Sequence, residues 1–411
     1  MKILFPYLAR WKSANRSRYH QLLTHLCELG HQVFVLTAPP MALNDISAND
    51  LPVEEKLPEG LTISELSAPA ALRSFWRMPV RRSKLLKKGL VSITSFNQIR
   101  RFIAKEKIDL LLLYNLPQAP LLHLAECHTH FDLADDLVAM MQVELGIIAK
   151  AGMMAAANAV QQHMLAKAET VTVASSVLAE QISRPVLMLP NGADVGELDQ
   201  IDHKEWQGQK SGTTVGFVGA FEYWVDFELV LKTACRLPQM TFLLVGSGRR
   251  LADINRMIAE FNLKNVVLTG AKPYREAMSY VAGMDVCLLP FTKDAVSDGS
   301  CPLKLFEYAA MRKPIVSTPT REVSRIGQGW ISFAEDDAGF ADAIESLLAN
   351  RRAVTQAGET GRAMVEQLYN WPNLTRQFEE LLLKGAVSGF EPARTRRLVL
   401  ETLASDLEPQ P

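Results

Sequence analysis

Asp298-Gly-Ser-Cys-Pro-Leu-Lys304-Leu-Phe-Glu307-Tyr-Ala-Ala-Met-Arg-Lys-Pro314-Ile-Val-Ser-Thr318 is the stretch that decides how the 411-residue chain is read. It begins as a loop of small residues, opens a helix near Pro302, breaks at Arg312-Lys313-Pro314 and ends in a short buried strand from Ile315 to Ser317. A proline in the first helical turn removes no hydrogen bond, because the first N–H groups of a helix have no intrahelical acceptor. Those groups, with the helix dipole behind them, make an anion site. Lys304 and Glu307 share one helix face near that end. The cation suits a phosphate and the carboxylate suits neutral hydroxyls, which is what gripping a sugar nucleotide requires. The plainer reading is an ordinary amphipathic helix with a solvated Lys and Glu.

Outward from that stretch, strands and helices alternate. Lys2 to Phe5 reads as a buried strand stopped by Pro6. Tyr19 to Leu29 reads as a helix ending at Gly30, and His31 to Thr37 as the next strand. This βαβ start predicts a parallel, doubly wound sheet. Ile108 to Tyr114 and His128 to Leu137 read as further strands, and Gly146 to Ala168 reads as a long Ala- and Met-rich helix. The polar segment 199–211 has the composition of an interdomain linker. A second set of strands starts at Thr214 to Val218 and continues through Phe242 to Val245, Leu263 to Gly270 and Asp285 to Pro290. The turn at Gly219 lets backbone approach a phosphate with no Cβ in the way.

Three segments, in order, carry a resemblance. Pro190-Asn191-Gly192-Ala-Asp194, Val215-Gly-Phe-Val-Gly219 and Pro302 to Thr318 are similar to the domain-junction turn, the first donor-domain strand and the donor motif of group 1 glycosyltransferases. The resemblance spans Met1 to about Leu381. It implies an α/β GT-B fold: two Rossmann-like domains around a cleft, with a final helix crossing back to the first. The expected division is 1–198, linker 199–211, 212–370, crossing helix 371–390 and tail 391–411. It also implies a retaining transfer from a UDP- or GDP-linked sugar used as substrate, with no metal or other cofactor. The donor contacts implied are Gly219, Ala220, Gly270, Pro290, Asp298, Ser300, Pro302, Leu303, Lys304 and Glu307, with Glu307 on the nucleotide ribose.

The chain departs from the family pattern in several places. The loop Ala220 to Asp226 lacks the usual Arg and Lys for the diphosphate, leaving Lys304, with Arg249 or Arg250, to carry that load. Gly299 stands where the first glutamate of a Glu-x7-Glu pair is usual, and Asp294 or Asp298 is the candidate replacement. The loop Pro6 to Arg18 holds Trp11, Arg16 and Arg18 but no pair of glycines. Asp135 occupies the position of a cleft histidine and is the candidate catalytic contact to the acceptor hydroxyl, possible as a general base and so keeping inversion open. Asp136, beside it, is a candidate acceptor contact, and an Asp before the apolar Leu137 to Met141 equally suits a helix N-cap.

Composition narrows the classes. Net charge is −1, which removes a general nucleic-acid footprint. The five cysteines fall without CxxC or His-rich spacing, so neither a zinc site nor a disulfide framework is expected. No dinucleotide fingerprint and no apolar run of membrane length are present, and Met1 to Pro6 is not a signal sequence. A cytoplasmic protein, soluble or peripheral on the inner membrane face, is expected. The one basic stretch, Arg73 to Lys88, with Arg77, Arg81, Arg82 and Lys84 among Phe75 and Trp76, suits an anionic membrane or the pyrophosphate of a lipid-linked acceptor. A solvated helix face or a nucleic-acid contact are the other readings of it. The function expected is therefore sugar transfer from a nucleotide sugar to a lipid-linked saccharide of a cell-surface polysaccharide. A catalytically silent membrane-associated scaffold and a nucleotide-sugar epimerase on the same fold stay as alternatives.

Overall fold

Buried apolar runs set the first layer of structure in the computed structural model, which describes residues 1–9, 11, 16–39, 57–67, 84–124, 126–146, 151–201 and 212–384. Strands β1 (Lys2–Tyr7), β2 (Gln32–Thr37), β3 (Leu61–Glu65), β4 (Leu110–Leu113), β5 (His128–Leu133), β6 (Thr170–Val173) and β7 (Leu187–Met188) form one sheet. Their order is β3-β2-β1-β4-β5-β6-β7, all parallel. A second parallel sheet, β10-β9-β8-β11-β12-β13, is built from β8 (Thr214–Val218), β9 (Thr241–Val245), β10 (Val266–Gly270), β11 (Val286–Leu289), β12 (Ile315–Ser317) and β13 (Ser332–Phe333). In each sheet the order reverses beside the first strand, at β1/β4 and at β8/β11. The carboxyl ends of strands at such a switch point open a crevice for ligands.

The structure departs from the sequence reading at β1, at β3 and at Gly146. β1 runs through Pro6 to Tyr7, pairing Pro6 with Leu36 of β2. Its pairing with β4 covers only Ile3 and Leu4, so the donor missing at Pro6 leaves that ladder intact. β3, not anticipated, lies at the sheet edge with an alternating, largely accessible pattern, and carries little apolar signal. Gly146, at φ 53°, closes the helix Leu137–Leu145, and the next helix is Ala151–Lys167. Most of the basic stretch, including Arg77, Arg81 and Arg82, lies outside the described residues; Lys84 begins the helix Lys84–Thr94, and its side chain is outside the description.

The helix Trp371–Lys384 completes the core of the first domain. Trp371, Leu374 and Phe378 are buried among Ile3, Phe5, Tyr19 and Leu22. His31 Nε2 meets Glu379 at 2.7 Å. Pro372 falls in the first turn of this helix, where it breaks no intrahelical bond. Truncation of Trp371 to Ala should cost about 3–5 kcal/mol, because a large side chain is removed from a site closed on all sides. A denaturant titration followed by circular dichroism checks this, with an unchanged midpoint as the contrary outcome.

Where the helix enters, the Pro190-Asn191-Gly192 turn crosses the chain at Tyr369. A Cβ on Gly192 would sit 2.1 Å from the Tyr369 carbonyl oxygen. The two domains also meet along a second seam. Ser175 Oγ donates to the Gly299 carbonyl at 2.7 Å, and buried Glu322 accepts from Ser176 N–H at 3.1 Å and Ser176 Oγ at 2.6 Å. Arg325 reaches Glu180 at 2.7 Å across the same seam.

Candidate active site

The helix Leu303–Ala310 is fixed on three sides before any ligand is considered. Leu305, Phe306 and Tyr308 are buried, and the Val218 N–H donates to the Tyr308 hydroxyl at 2.8 Å, tying the helix to the end of β8. Arg362 Nη1 donates to the Ala310 carbonyl at 2.7 Å, satisfying one of the carbonyls the helix end leaves open. Pro302 begins the helix in extended geometry with no side-chain cap. Lys304 and Glu307 therefore stay on the face left open to the cleft.

That face borders two cavities. One, of about 190 Å³, lies over the carboxyl ends of β8 and β9, with Gly219, Gly246, Tyr274, Leu303, Lys304 and Glu307 in its wall. The other, of about 400 Å³, lies between the domains, with Tyr19, Tyr114, Asp135, Trp224 and Ser300 in its wall. Leu303 and Lys304 line both. Gly219 and Gly246, each at φ 147°, let the chain pass close here: a Cβ on Gly219 would lie 2.8 Å from Lys304 Cε, and one on Gly246 1.9 Å from the Gly219 carbonyl.

Electrostatics single out the same pair. Lys304 reaches the cleft surface but is otherwise walled by protein, with its ammonium 5.0 Å from the Phe217 ring centre and 5.6 Å from that of Phe291. Burial pushes its pKa down to about 8, against the opposing pull of Glu307. Burial pushes Glu307 up to about 7, with Lys304, the Tyr274 hydroxyl and Arg16 holding it from going higher. Asp135, in the wall of the larger cavity, is raised by burial; Arg18 opposes the shift and Asp132 and Asp136 add to it. Such displaced groups gathered in one cleft make it the candidate site.

Beneath the cleft runs a buried polar network. Arg18 Nη2 donates to Asp132 Oδ1 at 3.0 Å, and Nε lies 3.0 Å from Asp132 Oδ2. Arg18 Nη1 donates to Asn191 Oδ1 at 2.9 Å and to the Leu189 carbonyl at 3.1 Å. Asn191 in turn donates to the Cys301 carbonyl, one residue before Pro302. A single arginine of the first domain thus supports the turn that holds the start of the helix Leu303–Ala310 of the second. Burial pushes the Cys301 thiol up, so it stays protonated and unreactive.

The residues expected from sequence divide on the structure. Gly219, Ala220, Leu303, Lys304 and Glu307 line the smaller cavity, while Asp135, Ser300 and Pro302 join Leu303 and Lys304 in the larger. Asp298 does not face either: the preceding loop winds into a short helix, Ala295–Gly299, and its carboxylate accepts from Arg321 N–H at 2.9 Å on the exposed side. Asp294 caps that helix through Ser297 N–H at 2.9 Å, so both aspartates are bonded to backbone and neither lines a cavity wall. Gly299 itself faces the domain seam, where an added Cβ would lie 3.4 Å from Leu178. Asp136 is the N-cap of Leu137–Leu145, accepting from Ala139 N–H at 2.9 Å, and is not in the cavity wall. Pro290 ends β11 with its carbonyl bound by Asp226 N–H at 2.7 Å, outside both walls. Gly270 stands one residue short of the wall, which starts at Ala271 and Lys272.

Arg249 and Arg250 are not in the smaller cavity either. Arg249 pairs with Glu222 and lies 5.0 Å over the Tyr223 ring, and Arg250 pairs with Asp253 at 3.2 Å. The residues that sequence reading left out are Arg16, Lys272 and Tyr274, all in that wall. Among the described residues no cluster of three His, Cys, Asp or Glu is close enough to hold a metal ion, and no helix is long and apolar enough to cross a membrane.

Two parallel Rossmann-like sheets meeting at a cleft, with the last described helix packed on the first domain, define the GT-B arrangement. The comparisons agree: residues 212–350 match the family model described as glycosyl transferases group 1. The chain is 25% identical over 231 residues to TuaH of Bacillus subtilis, named for teichuronic acid biosynthesis, a match covering 52% of this chain and 57% of that protein. The chain therefore spans little more than half the length of that curated relative. Sucrose-phosphate synthase from Thermosynechococcus elongatus superposes with a TM-score of 0.73 at 18% identity, over 93% of this chain and 98% of that one. Anabaena HepE in complex with UDP-glucose superposes at 0.65 with 14% identity, over 93% of this chain and all of the other.

Proposed function

We propose that the protein is a glycosyltransferase that moves a sugar from a nucleoside diphosphate, UDP- or GDP-linked, to an acceptor hydroxyl in the interdomain cleft. The observation that carries this is the position of Lys304, in the wall shared by the two cavities. A donor seated in the smaller cavity would place its diphosphate against Lys304 and the free N–H groups at the start of Leu303–Ala310, and its ribose hydroxyls on Glu307. The transferred sugar would extend past Lys304 into the larger cavity, toward Asp135. Negative charge gathering on the departing diphosphate would be met by the ammonium and by fixed backbone dipoles in a site with little water to reorganise. Asp135 is the group placed to receive the acceptor proton.

The acceptor proposed is a lipid-linked saccharide of a cell-surface polysaccharide, handled at the inner membrane face. The biosynthetic setting named for TuaH supports this, as does the basic stretch before Lys84. The aromatic walls of Tyr7, Tyr19, Tyr114 and Trp224 suit the apolar faces of sugar rings.

Thermal melting with UDP-, GDP-, ADP- and CMP-linked sugars tests the proposal, because a ligand of the folded state alone raises apparent stability by about 2.7 kcal/mol at 100 times its Kd. One donor should stabilise, and most strongly between about pH 7 and about pH 8. Above that window Lys304 loses the proton that attracts the diphosphate; below it Glu307 gains a proton and accepts fewer hydroxyl bonds. A chain that responds to none of the four, across that pH range, is not such an enzyme.

A further inference from the structure

We propose that Arg16, carried by the first domain, is the second cation for the donor diphosphate and reaches it by exchanging one of its present partners, Glu197, for the phosphates. The inference rests on the donor reading above. It answers a shortage in the smaller cavity. The loop from Gly219 to Asp226 supplies no cation, and Arg249 and Arg250 are held by Glu222 and Asp253 outside the wall. A diphosphate carries more charge than one ammonium balances. The cationic side chains in the wall are Arg16, Lys272 and Lys304. Lys272, just before the helix Tyr274–Gly283, donates to Glu276 of that helix at 2.6 Å and lies 5.7 Å over the Tyr280 ring, next to Ala271. Of the three, Arg16 alone comes from the first domain, opposite Lys304 of the second.

The surroundings of Arg16 fit an exchange better than a fixed brace. Its Nη1 donates to both oxygens of Glu197, at 2.6 and 2.7 Å, and its guanidinium lies 4.8 Å over the Tyr274 ring, which forms the wall beside Glu307. Glu197 has a second cation in reach, since Arg275 of the other domain stands 3.7 Å away. When Arg16 turns to a phosphate, Glu197 keeps a counter-charge, and the Tyr274 ring remains a surface on which the guanidinium can slide. A planar fork suits two phosphate oxygens in a way that a point charge does not. With Lys304 on one side and Arg16 on the other, the bound diphosphate becomes a tie between domains.

Calorimetric titration with UDP, GDP and ADP, and ligand-observed NMR with the matching nucleosides, tests the assignment. For whichever diphosphate the wild type binds, Arg16→Gln should weaken it about 10- to 100-fold and leave the nucleoside within about twofold, the spread expected of a side chain that touches only phosphate. Glu197→Gln should change affinity in the opposite direction, tightening the diphosphate several-fold, because the competing carboxylate charge is gone. Arg16→Lys keeps the charge without the fork and gives an intermediate loss, so the assignment remains testable if the Gln variant does not fold. Diphosphate affinity unchanged in a folded Arg16→Gln or Arg16→Lys variant overturns it. So does a Glu197→Gln variant that loses affinity alongside Arg16→Gln, which would make the pair a structural brace. A wild type that binds nucleosides but none of the three diphosphates overturns the donor reading, and this assignment with it.

Discussion

Replacing Lys304 with methionine should abolish donor binding and at the same time raise the stability of the empty protein. The first half follows from position: the ammonium is the second domain's charge in the wall shared by both cavities, and losing charge-assisted bonds to a diphosphate weakens binding by about 100-fold or more. The second half follows from the direction of the pKa displacement. Lys304 is pushed down to about 8, so the folded protein holds this proton less tightly than the unfolded chain does. Stability therefore rises as pH climbs from about 8 toward the ordinary lysine value, and the cost of burying the ammonium is borne in full below that window. Glu307 runs the other way: with its pKa raised to about 7, stability falls as pH rises from the ordinary glutamate value to about 7. The pair weighs most against folding between the two values, where both groups are charged.

Methionine fills much of the same volume without a charge, and the partnerless Glu307 can then keep its proton at neutral pH. A gain of about 1–3 kcal/mol is expected, the order of the burial cost behind the lowered Lys304 pKa. Denaturant midpoints and nucleotide titrations on the same samples check both halves at pH 7.5. A variant that binds nucleotide as the wild type does, or that melts earlier, contradicts this account of the residue.

Arg18→Met should instead cost about 3–5 kcal/mol, since it leaves the Asp132 carboxylate, fully buried, without its guanidinium. The damage reaches further than the pair. Asn191 loses a donor to its Oδ1 and the Leu189 carbonyl loses another, so the turn that holds the Cys301 carbonyl is released. Asp135 also loses the charge that opposes its upward shift, and its pKa moves higher still. Any limb of the pH–rate profile set by Asp135 should therefore move to higher pH in a variant that still folds. Arg18→Lys should not restore stability, because an ammonium cannot address Asp132, Leu189 and Asn191 at once. A Lys variant with wild-type midpoint, or a profile that does not move, removes Arg18 from this role.

The organising stretch was legible because helix-end chemistry is local. Pro302, Lys304 and Glu307 lie within one turn and a half of backbone, and the three-residue spacing of Lys304 and Glu307 puts those two on one face. The alternation of buried strands with helices was legible for the same reason, from Lys2 through Ser317. The loop before Pro302 was not. Asp294 and Asp298 read as free carboxylates, whereas each finds a backbone N–H within its own neighbourhood or on the next helix, and short Asp side chains favour that kind of bond. Asp136 was drawn into its cap by the same preference. Arg16 escaped for the opposite reason: its partners Glu197 and Tyr274 are far along the chain, and nothing in the Pro6 to Arg18 loop signals them. Local bonding misleads when it is overlooked, and distant pairing is silent until the fold supplies it.

The packing of Trp371, Leu374 and Phe378 under β1 has a consequence for biogenesis. A ribosome releases β1 and its neighbours early, yet the core on that side of the sheet, already lined by Tyr19, Leu22, Leu23 and Leu26 of the helix Arg18–Glu28, is not closed until the segment beginning at Trp371 emerges. During the whole translation of the second domain, the first one carries an open apolar face. The second domain, though made later, has its sequence released before that last piece of the first domain's core.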